Sequence, residues 1–243
     1  MSTNNTYIVL LCLVVILIFY TWYLKPYCDQ VNVQTFTSTH PGPTVLFIGS
    51  VHGNEPAGTL ALESYFRKKI HMNRGKIIVV TRPNRCGQAL NIRWQPQYLP
   101  LPQSDLNRSF YPSTFNQTAK TIMKYIQEAN IIVDLHEGWG FHQYQPDSMG
   151  SCVYPSPKLK WLAEKCVQNI NRTIANKKKH FLVRSIPLIQ GTTDEYTLTQ
   201  TDDTKHTLML ETTGHNDIQP IGLRVQQQQI FIDTILKELK LIK

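Results

Sequence analysis

Four short apolar runs that each end in polar or charged residues constrain this chain more than anything else in it: 44–49, 75–81, 130–138 and 207–214. They are rich in Val, Ile, Leu and Thr and too short for buried helices, so they read as strands of a covered sheet. Between and around them lie stretches with apolar residues at helical spacing. One runs over 57–69, with cations gathered at its end. A second runs over 113–129, with Ser113 or Thr114 as the cap and Ile122, Met123, Tyr125 and Ile126 on one face, and a third over 225–243. A short strand at 151–154, a basic helix over 157–178, a strand near 181–184 and a polar loop at 190–196 complete the series. Strands alternating with helices predict an α/β fold: a mostly parallel or mixed twisted sheet with helices on both faces. In such sheets ligands gather at the carboxyl ends of the strands.

Those ends carry the chemistry. The first strand leads into Ser50-Val51-His52-Gly53-Asn54-Glu55-Pro56, where Pro56 suits the first position of a helix, so His52 and Glu55 share one strand-to-helix turn. The third strand ends Asp134-Leu135-His136-Glu137-Gly138. Side chains two apart share a face of a strand, so Asp134 is placed to orient the His136 imidazole while Leu135 points into the opposite layer. The fourth ends with Glu211. Two imidazoles and one carboxylate are ordinary zinc donors and leave the ion an open position, as in catalytic sites. Glu211 then suits a general base. The proline-rich loop after the second strand carries Arg93 and the run Ser104-Asp105-Leu106-Asn107-Arg108-Ser109-Phe110. Its arginines suit oxyanion stabilisation and bidentate capture of a carboxylate. Glu137 reads as structural and His71, His180 and His206 as surface residues, while His142 and His215 stay unassigned.

The order His52-x-x-Glu55, Asp105-Leu106-Asn107-Arg108, Asp134-Leu135-His136 and then Glu211 before a glycine resembles the zinc carboxypeptidase superfamily, most of all its succinylglutamate desuccinylase/aspartoacylase branch. The resemblance implies one zinc ion per chain on His52, Glu55 and His136, a substrate-carboxylate clamp from Asn107 and Arg108, and Glu211 as base. It also implies a carbonyl-polarising arginine, for which Arg93 is the nearest candidate with Arg85 as the alternative, and a substrate-capping tyrosine, for which Tyr196 is the candidate. The implied reaction is cleavage of an amide bond beside a free carboxylate, in a small N-acyl amino acid or at a peptide C-terminus. The β-domain that closes the aspartoacylase site has no counterpart after Gly214, where a helix follows, so a more open cleft is expected.

Residues 7–24 contain no charged side chain and end in an aromatic cluster, Phe19, Tyr20, Trp22 and Tyr23. That is about the length of a bilayer-spanning helix. No basic residue precedes the run and no small-residue cleavage pattern follows it, which favours a retained anchor over a signal peptide. The expected organisation is an anchor over 1–24, a linker over 25–43 and a hydrolase domain over 44–243, with Lys25 leaning the domain toward the cytoplasm. The net charge of +8 concentrates between 151 and 190, where eight cations face a single acid. A catalytically inactive domain binding an anionic partner through this basic helix is therefore the second class of reading. No base-reading motif accompanies the charge, so no nucleic-acid partner is expected. Five scattered cysteines make no disulfide framework but leave room for one bridge. Four N-x-S/T sequons occur, at Asn4, Asn107, Asn116 and Asn171, and the one at Asn107 falls inside the expected clamp.

Overall fold

The computed structural model describes residues 3–214 and 217–243. His215 therefore lies outside the described residues. The helices are α1 (Thr3–Phe19), α2 (Lys25–Asp29), α3 (Ala57–Phe66), α4 (Arg85–Ala89), α5 (Gln117–Glu128), α6 (Lys160–Asn171), α7 (Thr193–Thr199) and α8 (Ile221–Glu238). The strands are β1 (Val33–Thr37), β2 (Thr44–Gly49), β3 (Lys76–Val80), β4 (Ile131–Gly138), β5 (Cys152–Pro155), β6 (Leu182–Val183) and β7 (His206–Thr213). They form one mixed sheet in the order β1-β3-β2-β4-β7-β5-β6. The central pairs β3/β2, β2/β4 and β4/β7 are parallel, while β1/β3 and β5/β7 are antiparallel.

Strand alternation sorts the core into two layers. In β2, Val45 and Phe47 face the layer built by α3, α6 and α8, whereas Leu46 and Ile48 face α5 and the buried ring of Tyr196. Both faces of the sheet are thus covered, which is why the central strands read as continuous apolar runs.

Four local expectations are corrected. The stretch 25–43, expected as linker, contributes α2 and the edge strand β1, whose half-exposed, largely polar sequence carries little strand signal. The polar loop at 190–196 becomes the start of α7, capped by the Thr192 hydroxyl, which accepts from the Glu195 amide. The cap of α5 is Asn116, whose side chain accepts from the Ala119 amide, rather than Ser113 or Thr114. The basic helix ends at Asn171, and Lys177–Lys179 form a separate single turn.

One bridge is present, Cys28–Cys86, which ties α2 to α4 across 58 residues of sequence. The N-terminal helical run Thr6–Asp29 is long and apolar enough to cross a membrane, and none of its apolar window is buried in the protein.

Candidate active site

Parallel pairing of β2, β4 and β7 sets three strand ends side by side. In that register His136 lies directly opposite Glu211. The β2 end turns sharply at Ser50, which adopts a positive φ of 46°. The Ser50 hydroxyl donates to the Glu55 carbonyl and accepts from the Thr59 amide, closing the turn onto α3. Gly53 is required there: a Cβ would come within 2.4 Å of the backbone of Gly87, Gln88 and Ile92. This close approach presses the His52–Glu55 turn against the loop that brings Arg93, whose carbonyl accepts from the Gly53 amide.

His52, Glu55 and His136 come together, each buried, with one candidate ligand atom from each lying within 4.8 Å of the others. Both imidazoles turn Nδ1 inward: His52 Nδ1 is 2.7 Å from Glu55 Oε1 and His136 Nδ1 is 2.9 Å from Glu55 Oε2. Each outer nitrogen meets another carboxylate, His136 Nε2 at 3.1 Å from Asp134 and His52 Nε2 at 3.3 Å from Asp105. A carboxylate this near favours a proton on the outer nitrogen, which leaves the inner nitrogen's lone pair for a cation. The arrangement therefore fits a zinc ion: a donor set of two nitrogens and one carboxylate, already converged and backed by a carboxylate behind each imidazole.

Charge at the site follows from burial and pairing. Burial alone would lower the pKa of His136, but Asp134 and Glu55 outweigh it and hold the ring well above its ordinary range. Burial would raise Asp105, yet His52, Arg93 and Arg108 hold it well below the usual carboxylate range. Glu211 lines the same cleft, and burial pushes its carboxyl well up. His136 and Arg93 oppose that rise, while Glu55 and Asp134 add to it.

The cleft has a volume of about 260 Å³. Arg93 and Arg108 both line it, and Arg93 pairs with Asp105 at 3.1 Å. Arg85, the alternative arginine, points elsewhere: it binds Gln30 and Asn32 and stacks over Tyr27. Asn107 is buried beside His136, with its carbonyl accepting from the Thr193 amide, so its amide group already fastens α7 to the site. Tyr196, the expected capping tyrosine, does not line the cleft. It faces the opposite way on α7, buried in the core with its hydroxyl accepting from Gln127. The cleft wall on that side is instead Pro187, Ile189 and Thr192, and this segment docks on the Arg108 backbone through Gly191. His142 is held away from the site by Ser148 and Arg184.

Reading the sequence residue by residue assigns no role to three positions that the fold brings in. Asp105 backs His52, and its only sequence signal is that it opens the Asp105–Arg108 run. Trp139 and Asp147 stand at the exposed edge of the cleft, in a loop with no periodicity to mark them. Glu137 borders the cleft, where its backbone N–H donates to Glu55, but its carboxylate has a structural role: it accepts from the Ala57 amide at the start of α3 and pairs with the buried Arg224 of α8.

Residues 41–146, which hold both imidazoles, Glu55 and the arginines, match the family model of the succinylglutamate desuccinylase/aspartoacylase catalytic domain. Over that stretch, somewhat under half of its length, the chain is similar to this family. No curated protein sequence matches the chain significantly. Among solved structures, the cell shape determinant Csd4 from Helicobacter pylori, bound to a tripeptide, is similar with a TM-score of 0.70 at 18% identity, covering 87% of this chain and 56% of that one. Carboxypeptidase A from Helicoverpa armigera is similar with a TM-score of 0.63 at 15% identity, covering 91% and 71%. A succinylglutamate desuccinylase/aspartoacylase from Rhodobacter sphaeroides gives 0.59 at 18%, covering 88% and 60%. At these identities the likeness establishes the fold alone, which is carboxypeptidase-like. The chain spans just over half the length of Csd4.

Proposed function

We propose that the chain is a membrane-anchored, zinc-dependent hydrolase that cleaves an amide bond next to a free carboxylate. The observation that carries this is the pair of inward-facing Nδ1 atoms on either side of Glu55, each imidazole backed by a carboxylate. When bound by His52, Glu55 and His136, zinc supplies a Lewis acid that polarises a carbonyl and acidifies water. The rest falls to the chain's own side chains. Glu211, beside His136 and buried, is the base that takes a proton from the attacking water and returns it to the leaving nitrogen. Arg108 at the cleft wall binds the substrate carboxylate, and Arg93, braced by Asp105, faces the developing oxyanion.

N-acyl amino acids are the leading substrate class, in keeping with the family of residues 41–146. Peptide C-termini are the second, favoured by the edge of the cleft at Trp139 and Asp147 and by the tripeptide and carboxypeptidase likenesses. N-succinyl and N-acetyl amino acids assayed beside C-terminal peptides, with Glu211→Gln as the inactive control, separate the two. Turnover of neither panel by a zinc-loaded protein rejects the substrate class. A chain that takes up no zinc yet binds an anionic surface through Lys158, Lys160 and Lys165 rejects the enzyme reading altogether.

The Cys28–Cys86 bridge supports a domain on an oxidising side of the membrane, because such bonds persist there. This replaces the cytoplasmic lean taken from Lys25. Asn107 and Asn116 are buried, so neither sequon accepts a glycan in the folded domain.

A further inference from the structure

We infer that the tip of the proline-rich loop, Leu99 to Leu101 together with Phe115, is a membrane-contacting surface seated at the headgroup and acyl-chain boundary of the bilayer that α1 crosses. The inference rests on the anchor reading above and adds to it a second point of contact.

The depth of the loop is set by its bonds to the helix. Tyr20 lies inside the apolar run, five residues before Lys25, and its hydroxyl donates to the Gln97 carbonyl. Tyr20–Leu24 form a wider π-type turn that rises less per residue than the 1.5 Å of an α-helix, so Tyr20 lies up to about 7 Å nearer the membrane centre than Lys25. Helical side chains also lean toward the N-terminus, here the membrane side. The loop therefore reaches to the depth of the aromatic belt, where Trp22 and Tyr23 are exposed.

The junction is held at several points. Asp29 accepts from Gln97 at 3.0 Å and from the Tyr98 hydroxyl at 3.1 Å, and the Lys25 ammonium sits 5.0 Å over the Tyr98 ring. The bridge from Cys28 to Cys86 closes the other flank. Around this junction the loop presents apolar side chains outward: Leu99 is 48% exposed, Leu101 45% and Phe115 45%, with the Phe115 ring 6.2 Å from that of Tyr98. Continuity with the wholly exposed apolar helix names their partner as lipid rather than a second protein surface.

The same loop serves the cleft. Arg93 lies four residues before Gln97, at most about 14 Å along an extended chain. Seating the tip in the interface thus holds the cleft close to the membrane surface and favours substrates presented there.

The full chain in phosphatidylcholine vesicles tests this with an environment-sensitive thiol probe. Cys12, the only exposed free cysteine among the described residues, reports the span. In a Cys12→Ala background, Leu99→Cys and Leu101→Cys report the loop, and Gln168→Cys on α6, toward the opposite edge of the sheet, reports bulk water. Blue-shifted emission at 99 and 101, quenched at least twofold by lipids with a shallow nitroxide and unquenched at 168, supports the proposal. Aqueous emission at 99 and 101 while the Cys12 probe is quenched by a deep nitroxide overturns the loop contact and leaves the anchor standing. Shielded emission at 99 and 101 without lipid quenching overturns it in favour of a protein contact. Loss of quenching at Cys12 as well removes both readings.

Discussion

His52 and His136 are useful as a pair because each has something different on its two nitrogens, a shared carboxylate inside and a separate carboxylate outside. Substituting His52 by Ala is expected to reduce bound zinc from one per chain to none, read by elemental analysis of the purified protein. Asp105→Asn keeps the shape but weakens the brace behind His52, and zinc affinity is expected to fall about 10–100-fold in a chelator competition. Glu211→Gln is expected to keep zinc and lose about 10²–10⁴ in turnover. Asp194 supplies a pH effect. Burial, helped by Asp134, pushes its carboxyl up, against a Thr207 hydrogen bond and His136. An acid whose folded pKa lies above its unfolded value favours the neutral form in the fold. Stability is therefore lost as pH rises above the ordinary aspartate range, by about 1.4 kcal/mol per pH unit until the folded carboxyl titrates. Asp194→Asn is expected to melt several degrees above the parent at pH 8 and together with it near pH 4, in calorimetry of the zinc-free protein.

At the scale of elements, the β4 end is clamped from both sides of the sheet. On one side Asp134 and His136 meet α7 through Thr193 and the Asn107 run. On the other, Glu137 joins the start of α3 to Arg224 of α8, and Gln228 of α8 donates to the His136 carbonyl at 3.1 Å. Removing one member of the Glu137–Arg224 pair leaves a buried charge uncompensated. Arg224→Met is expected to cost about 3–5 kcal/mol in urea unfolding. Adding Glu137→Gln is expected to recover part of that, because the orphaned charge is then gone. α8 thus has a reach that its amphipathic pattern does not reveal: the pattern shows the apolar stripe, while its buried polar residues hold the site.

For the whole molecule, the Cys28–Cys86 bridge joins the base of the N-terminal helix to α4, which leads into the loop that shapes the cleft. Closing 58 residues constrains the unfolded chain by about 4 kcal/mol in the chain-entropy treatment. Cys28→Ser with Cys86→Ser is expected to lower stability by up to that amount and to remove the mobility shift between reduced and unreduced gels. The same bridge and the Tyr20–Gln97 bond tie the N-terminal helical run to the loop, contacts that composition and prolines do not reveal.

Period and spacing along the chain were enough to determine the α/β class, the four central strands, the two-faced burial and the residues at the strand ends. Apolar alternation records which side of a sheet each residue faces, and that is a local property. Asp134 beside His136 was legible for the same reason. What lies across the sheet was not. The edge strand β1 and the helix α7 owe their form to a neighbouring strand and a cap, and little to apolar period. Asp105 behind His52, Arg93 rather than Arg85 at the cleft, Tyr196 turned into the core and the docking of the N-terminal helix on the loop are all contacts between residues far apart in sequence. Only chain closure decided them, because a side chain's partner depends on which segments the packed core brings within reach, and a linear pattern carries no record of that distance.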